Sequence, residues 1–212
     1  MTHTLLVFHG FTMNGAVMHA ALEPLAAALE PHVRVVCLDA PHTCSEATVE
    51  RMYRGSSSRL SPPHLCWWNA SDDGLEYRGW EETRALVGAA LDRYAPVSIL
   101  GFSQGGILAA AVAALARRGE LSPVHAAVLI AGRKPRASLL QGAFGEPVAV
   151  PSLHVWGERD KLTLQHSEQL VECFSAPQRE VVRWAGGHVV PTSGPACDAI
   201  VRFVTEHASR SI

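Results

Sequence analysis

The run Ile107-Leu-Ala-Ala-Ala-Val-Ala-Ala-Leu-Ala116 is apolar nearly all round, so a helix built from it has no face to give to water and must lie closely against a sheet. Before it stand Gly101-Phe-Ser-Gln-Gly105 and the apolar run Val97–Leu100. A strand, a tight glycine turn and a buried helix in succession build a parallel sheet covered on both faces. The same alternation recurs along the chain, with strand-like runs at Leu5–Phe8, Val33–Leu38, Ala126–Ala131, Ser152–Trp156 and Val181–Trp184. Helical segments are expected at Ala16–Glu30, Trp80–Tyr94, Gln104–Arg118, Leu164–Phe174 and Pro195–His207. The expected fold is α/β, a doubly wound six-stranded parallel sheet. The one long irregular stretch expected runs from Asp39 to about Gly79 and includes Gly55-Ser-Ser-Ser58, Pro62-Pro63 and Trp67-Trp68.

At 212 residues, 48% hydrophobic and 18% charged, the chain suits one domain spanning 1–212. A formal net charge of −2 supplies no long-range field to gather nucleic acid or an anionic membrane. The five cysteines, Cys37, Cys44, Cys66, Cys173 and Cys197, are an odd, scattered set without C-x-x-C spacing, as expected of free thiols in a reducing compartment. The first apolar run, Thr4–Phe8, is too short for a secretory core, and no stretch approaches the roughly 18 apolar residues of a membrane span. The chain is therefore expected in the cytoplasm, as a monomer or homodimer. His3, His32, His125 and His207 show no metal-ligand spacing, so neither a metal nor an organic cofactor is implied.

Gly101-Phe-Ser-Gln-Gly105 matches G-x-S-x-G between a strand and a helix, the context in which that pattern presents a serine nucleophile. The glycines let strand and helix approach around a strained turn, and the hydroxyl of Ser103 projects at a helix N-terminus that favours developing negative charge. A bare Gly/Ser turn without chemistry is the alternative. A phosphate loop is disfavoured, because neither G-x-G-x-x-G spacing nor a Gly-Lys-Ser/Thr ending is present.

A serine triad on such a sheet takes its acid and base, in that order, from loops after later strands. His154-Val-Trp-Gly-Glu-Arg-Asp160 puts Asp160 just beyond one strand, and Trp184-Ala-Gly-Gly-His188 puts His188 just beyond the next. His188 would take the proton of Ser103 and return it to the leaving group, and Asp160 would fix its tautomer. Taken singly, His188 could be an exposed loop histidine and Asp160 a helix cap; Glu158 and Asp198 are reserve candidates for the acid. His9-Gly10-Phe11-Thr12 closes the first strand, beside the third at the topological switch of a doubly wound sheet. The backbone N–H groups of Phe11 and Gln104 can thus converge as an oxyanion hole, with His9 a buried structural histidine.

Leu5-Leu-Val-Phe-His-Gly-Phe11, Gly101-Phe-Ser-Gln-Gly-Gly106, Pro151-Ser-Leu-His-Val-Trp-Gly-Glu-Arg-Asp-Lys-Leu162 and Gly186-Gly-His-Val-Val-Pro191 together resemble the FSH group, the "family of serine hydrolases", which includes fungal polyketide-releasing thioesterases. Arg78-Gly-Trp-Glu-Glu-Thr83 and Trp67-Trp68 are also similar to it. The resemblance extends from Thr4 to about Val204, and Thr43–Leu65 departs from the group's pattern. It implies a six-stranded α/β-hydrolase core and action on carboxylic esters or thioesters. It also places the triad at Ser103, Asp160 and His188 and the oxyanion donors at Phe11 and Gln104. Acyl-protein thioesterases and small carboxylesterases share Gly-Phe-Ser-Gln-Gly.

Between Gly132 and Val150 there is too little chain for a separate lid domain, so an open acyl groove is expected, with walls from Phe11, Met13, Trp67 and Trp68. The tryptophans read equally well as anchors of the long loop in the core. Arg133, Lys134 and Arg136, just after a strand, are either a solvated rim or contacts for coenzyme A, a phosphopantetheine or an anionic substrate. The expected partner is a small acyl ester or thioester. Two other readings remain, a non-catalytic binding protein with this fold and an acyltransferase that keeps Ser103 as nucleophile.

Overall fold

The computed structural model of the chain describes residues 2–54 and 60–209. Its centre is a six-stranded sheet of β1 (His3–Phe8), β2 (Val33–Leu38), β3 (Ser98–Phe102), β4 (Ala127–Ile130), β5 (Ser152–Gly157) and β6 (Arg179–Trp184). The strands lie parallel in the order β6-β5-β4-β3-β1-β2. The chain thus begins beside the middle of the sheet, winds outward to β2, and returns to lay β3 against the other side of β1. In that pairing Leu5 faces Ser98 and Phe8 faces Gly101, so the two carboxyl ends finish side by side.

Alternation along β1 separates two cores. Leu6 and Phe8 point into one with Val87 and Leu91 of α4 (Trp80–Tyr94) and nearly every residue of α5 (Gln104–Arg117). Leu5 and Val7 point into the other with Met18 of α1 (Gly15–Ala21), Leu25 of α2 (Glu23–Leu29), and Ile200 and Phe203 of α7 (Gly194–Ser209). The all-apolar face count of α5 has its reason here: Ile107 to Leu115 are all buried.

Three elements differ from the sequence reading. The expected helix Ala16–Glu30 is two helices, broken at Leu22. Pro24 stands in the first turn of α2, where a proline that lacks an N–H is tolerated only because that amide would have had no helical acceptor. The helix expected to Phe174 ends earlier, as α6 (Leu164–Val171). The stretch expected to be irregular carries α3 (Glu46–Tyr53), capped by the Ser45 hydroxyl on Thr48 N–H. It also carries two small antiparallel ribbons, His42–Thr43 with Leu65–Cys66 and Asn69–Ala70 with Tyr77–Arg78. Gly55-Ser-Ser-Ser58 lies outside the described residues. Between Gly132 and Val150 the chain forms a 3₁₀ segment, Ser138–Phe144. All five cysteines are free thiols, and among the described residues no helix is long and apolar enough to cross a membrane.

Candidate active site

The turn between β3 and α5 holds Ser103 at φ 54° and ψ −114°, a backbone conformation that L-residues rarely adopt. It persists because the surroundings fix it. Ser103 N–H donates to Ile130 O at 2.9 Å, and a Cβ on Gly101 or Gly105 would lie 1.9 Å from Gly105 O or 2.1 Å from Phe8 O. Only glycine at both positions lets α5 start so close to the strand ends.

Asp160 and His188 arrive from the loops after β5 and β6. His188 Nδ1 lies 2.8 Å from Asp160 Oδ2, and His188 Nε2 lies 2.9 Å from Ser103 Oγ. An ionised carboxylate can only accept, so Nδ1 carries the proton and Nε2 is left to accept from the serine hydroxyl. The Asp160 side chain is fully buried while His188 keeps 22% of its surface. Burial alone would raise the Asp160 carboxyl. Hydrogen bonds from Thr163 and His188, and the amide of Leu162, outweigh it and hold the group below its ordinary value. The ring of His188 also rests against Phe102, centroids 5.0 Å apart. Glu158 and Asp198 make no hydrogen bond to His188 among the described residues.

The turn after β1 is fixed by its carbonyls. His9 Nδ1 donates to Gly10 O at 2.7 Å, leaving Nε2 to accept from Ala40 N–H at 3.1 Å. Burial lowers the His9 pKa, so the ring stays in the neutral form that this arrangement requires. Gly10 O also accepts from Met13 N–H at 3.1 Å. In a trans peptide the N–H points opposite the carbonyl, so anchoring Gly10 O turns Phe11 N–H the other way. Phe11 N–H and Gln104 N–H have no acceptor among the described residues, and both residues line one cavity with Ser103 and His188.

That cavity holds about 460 Å³. Of the expected wall residues Phe11 and Trp68 line it, and Met13 and Trp67 do not. Trp67 is fully buried, its indole N–H on His9 O at 2.8 Å and its ring edge-on to Phe8. Met13 is packed in the core, with its sulfur 3.1 Å from where a Cβ of Gly10 would lie. The side chain of Gln104 accepts from Trp67 N–H at 3.0 Å and donates to Trp68 O at 2.9 Å, tying this part of the long loop to the serine turn. Residues that the sequence reading missed as walls add to the lining: Thr48, Arg51 and Met52 from α3, Asn69 and Ala70, Ile107, Ala131, and Leu162 with Thr163. Ser45 followed by Val49, Met52 and Tyr53 at helical spacing is the signal that marks α3. Arg133 lines the cavity as well. Among the described residues no group of three or more His, Cys, Asp or Glu is placed to hold a metal.

The family model described as "Serine hydrolase (FSH1)" matches residues 1–200. The chain belongs to this family. Among its relatives, Esterase OVCA2 of Homo sapiens is 30% identical over 220 aligned residues, 96% of each chain. Esterase OVCA2 of Danio rerio is 31% identical over 208 residues, 89% of this chain and 90% of the other. The likeness to solved structures is one of fold. SOBER1 of Arabidopsis thaliana superposes with a TM-score of 0.69 at 16% identity over 98% of this chain and 99% of that one. The RedJ thioesterase from the prodiginine pathway of Streptomyces coelicolor does so at 0.59 and 16%, over 96% and 85%. The six-stranded parallel sheet is thus the doubly wound one expected from the alternation of strands and helices, in the α/β-hydrolase form that the family resemblance implied.

Proposed function

We propose that this serine hydrolase cleaves carboxylic esters or thioesters of apolar acyl groups through an acyl-enzyme on Ser103. The observation that carries the reading is the unbroken chain of hydrogen bonds from Ser103 Oγ through the His188 ring to the buried Asp160 carboxylate, 2.9 and 2.8 Å long. Ser103 Oγ attacks the substrate carbonyl carbon as its proton passes to His188 Nε2, and Asp160 stabilises the imidazolium. The tetrahedral oxyanion is met by the N–H groups of Phe11 and Gln104, each worth about 10²–10³ in kcat where such donors have been removed. His188 then returns the proton to the departing alkoxide or thiolate, and water repeats the sequence to free the acid. The walls from Phe11, Trp68, Ile107 and Ala131 suit an apolar acyl group.

The test is covalent. A fluorophosphonate should label the folded protein on Ser103, and Ser103→Ala should abolish labelling and nearly all p-nitrophenyl ester turnover, leaving about 10³-fold over water. An unlabelled folded protein without turnover would make this a binding protein of the same fold. Transfer of the acyl group to an added alcohol in preference to water would make it an acyltransferase.

A further inference from the structure

Beside the Ser103 cavity lies a second groove of about 440 Å³, lined by Arg133, Lys134, Arg136 and His166 with no carboxylate among its lining residues. Arg133 belongs to both hollows, so the groove adjoins the cavity that holds the nucleophile. The clustering stands against a chain whose formal charge is −2. Arg133 and Lys134 are half-buried, and neither has an ion-pair partner among the described residues. Arg136 is partly matched: with the Ser71 hydroxyl and the Leu75 amide ahead of it, it helps to hold the exposed Asp73 carboxyl below its ordinary value. Lys134 lies over the Phe144 ring, its ammonium 6.0 Å from the centroid, and acts on the Cys173 thiol, a group without a full charge to offer it.

The backbone that presents these cations is held in advance. Arg136 N–H donates to Tyr77 OH at 3.0 Å, Ser138 N–H to Leu75 O at 2.9 Å, and the Gln141 amide to Pro135 O and Ala137 O at 2.9 and 3.2 Å. A half-buried cation without a counter-charge is costly until an anion arrives, and a pre-ordered loop loses little entropy when one does. Several cations in a groove of this size exceed what one carboxylate needs and match the oxygens of phosphate.

We propose that this groove receives a phosphate-bearing leaving group, so that the preferred substrates are acyl thioesters or esters whose leaving group ends in phosphate. The assignment rests on Ser103 being the nucleophile. The acyl–sulfur or acyl–oxygen bond breaks, the acyl carbon takes the oxygen of water, and the thiol or alcohol leaves with the proton from His188.

Butyryl-coenzyme A and butyryl-N-acetylcysteamine present the same acyl group on the same sulfur, with and without phosphates. The wild type should favour the coenzyme A thioester in kcat/KM by on the order of 10-fold or more, the scale of charge-assisted hydrogen bonds. Added salt should erode that preference. Lys134→Glu should abolish it through KM while leaving the neutral thioester unchanged, and Lys134→Gln, which removes only the charge, should lie between. Equal kcat/KM for the two thioesters in the wild type, or a preference that survives Lys134→Glu, overturns the proposal. If neither thioester nor any p-nitrophenyl ester is turned over, it is the Ser103 reading that fails. Calorimetric binding of coenzyme A, weakened by Lys134→Glu or absent altogether, then decides for or against the groove by itself.

Discussion

Replacing Gln104 by methionine keeps the length and bulk of the side chain and removes its hydrogen bonding. Two backbone groups lose their partners: Trp67 N–H, now on Oε1 at 3.0 Å, and Trp68 C=O, now on Nε2 at 2.9 Å. Both residues are buried, at 0% and 2% exposure, so water does not replace the lost partners. An orphaned buried polar group costs about 1–3 kcal/mol, so the pair costs about 2–6 kcal/mol, against a total stability of about 5–15 kcal/mol for a domain. With a urea slope of about 2 kcal/mol/M, the unfolding midpoint should fall by about 1–3 M at unchanged slope. Because Trp68 walls the cavity, ester kcat/KM should fall too, while fluorophosphonate still labels Ser103, since the amide of residue 104 is main chain and survives the substitution. A midpoint within about 0.3 M of the wild type, on the same slope, would refute the reasoning, since the two bonds would then contribute nothing net.

Two further outcomes can be checked. Asp160→Asn should lower kcat by about 10⁴-fold, because an amide nitrogen facing His188 Nδ1 selects the tautomer whose Nε2 bears the proton and cannot take one from Ser103. Wild-type-like rates would pass the acid's role to Glu158. His154, buried on β5 against Ser152 Oγ and the Phe174 ring, has its pKa lowered by burial to about 3. The unfolded chain binds this proton below about pH 6.5 and the folded chain does not, so stability present at neutral pH declines by about 1.4 kcal/mol per pH unit on acidification. Urea melts at about pH 7.5 and 5 should therefore differ by about 2 kcal/mol from this group, with His9 adding in the same direction. His154→Gln should flatten the dependence by that amount, and an identical slope in the variant would contradict it.

The parts of the architecture legible in sequence were those governed by local rules. Strands buried on both faces are short apolar runs, and the order of Ser103, Asp160 and His188 follows from a sheet whose carboxyl edge collects its loops. Pro24 marked the break between α1 and α2, but the apolar periodicity continues across it and hides the signal. The α3 helix was obscured for a different reason: its signal, Val49, Met52 and Tyr53 behind Ser45, spans only about two turns, and of its residues Val49 alone is buried. Trp67 and Trp68 were indistinguishable by composition. Neighbouring side chains diverge, and here one enters the core beneath His9 while the other stacks on Tyr77, centroids 4.3 Å apart, at the cavity. Long-range partners decided which was which, and no local pattern encodes them.

In the proposed mechanism, with Phe11 N–H as an oxyanion donor, the long connection after β2 has a physical purpose that its irregular sequence conceals. An oxyanion hole works only if its donors are fixed before charge develops, since reorienting dipoles during the reaction would consume the stabilisation they provide. The turn His9–Met13 contains a β-branched residue at positive φ, Thr12 at 63°, and would relax if left alone. Each carbonyl in it has a donor. Trp67 holds His9 O, His9 and Met13 hold Gly10 O, and the Thr12 hydroxyl holds Phe11 O. His64 holds Thr12 O and Leu65 N–H holds Met13 O. Because the proton of Thr12 Oγ1 goes to Phe11 O, the hydroxyl of Tyr53 must be the donor to Thr12 at 2.9 Å, which ties α3 to the same turn. Tyr53, His64, Leu65 and Trp67 all come from the connection between β2 and α4. That connection acts as a brace for one amide, Phe11 N–H, and its length follows from having to reach the turn from several sides.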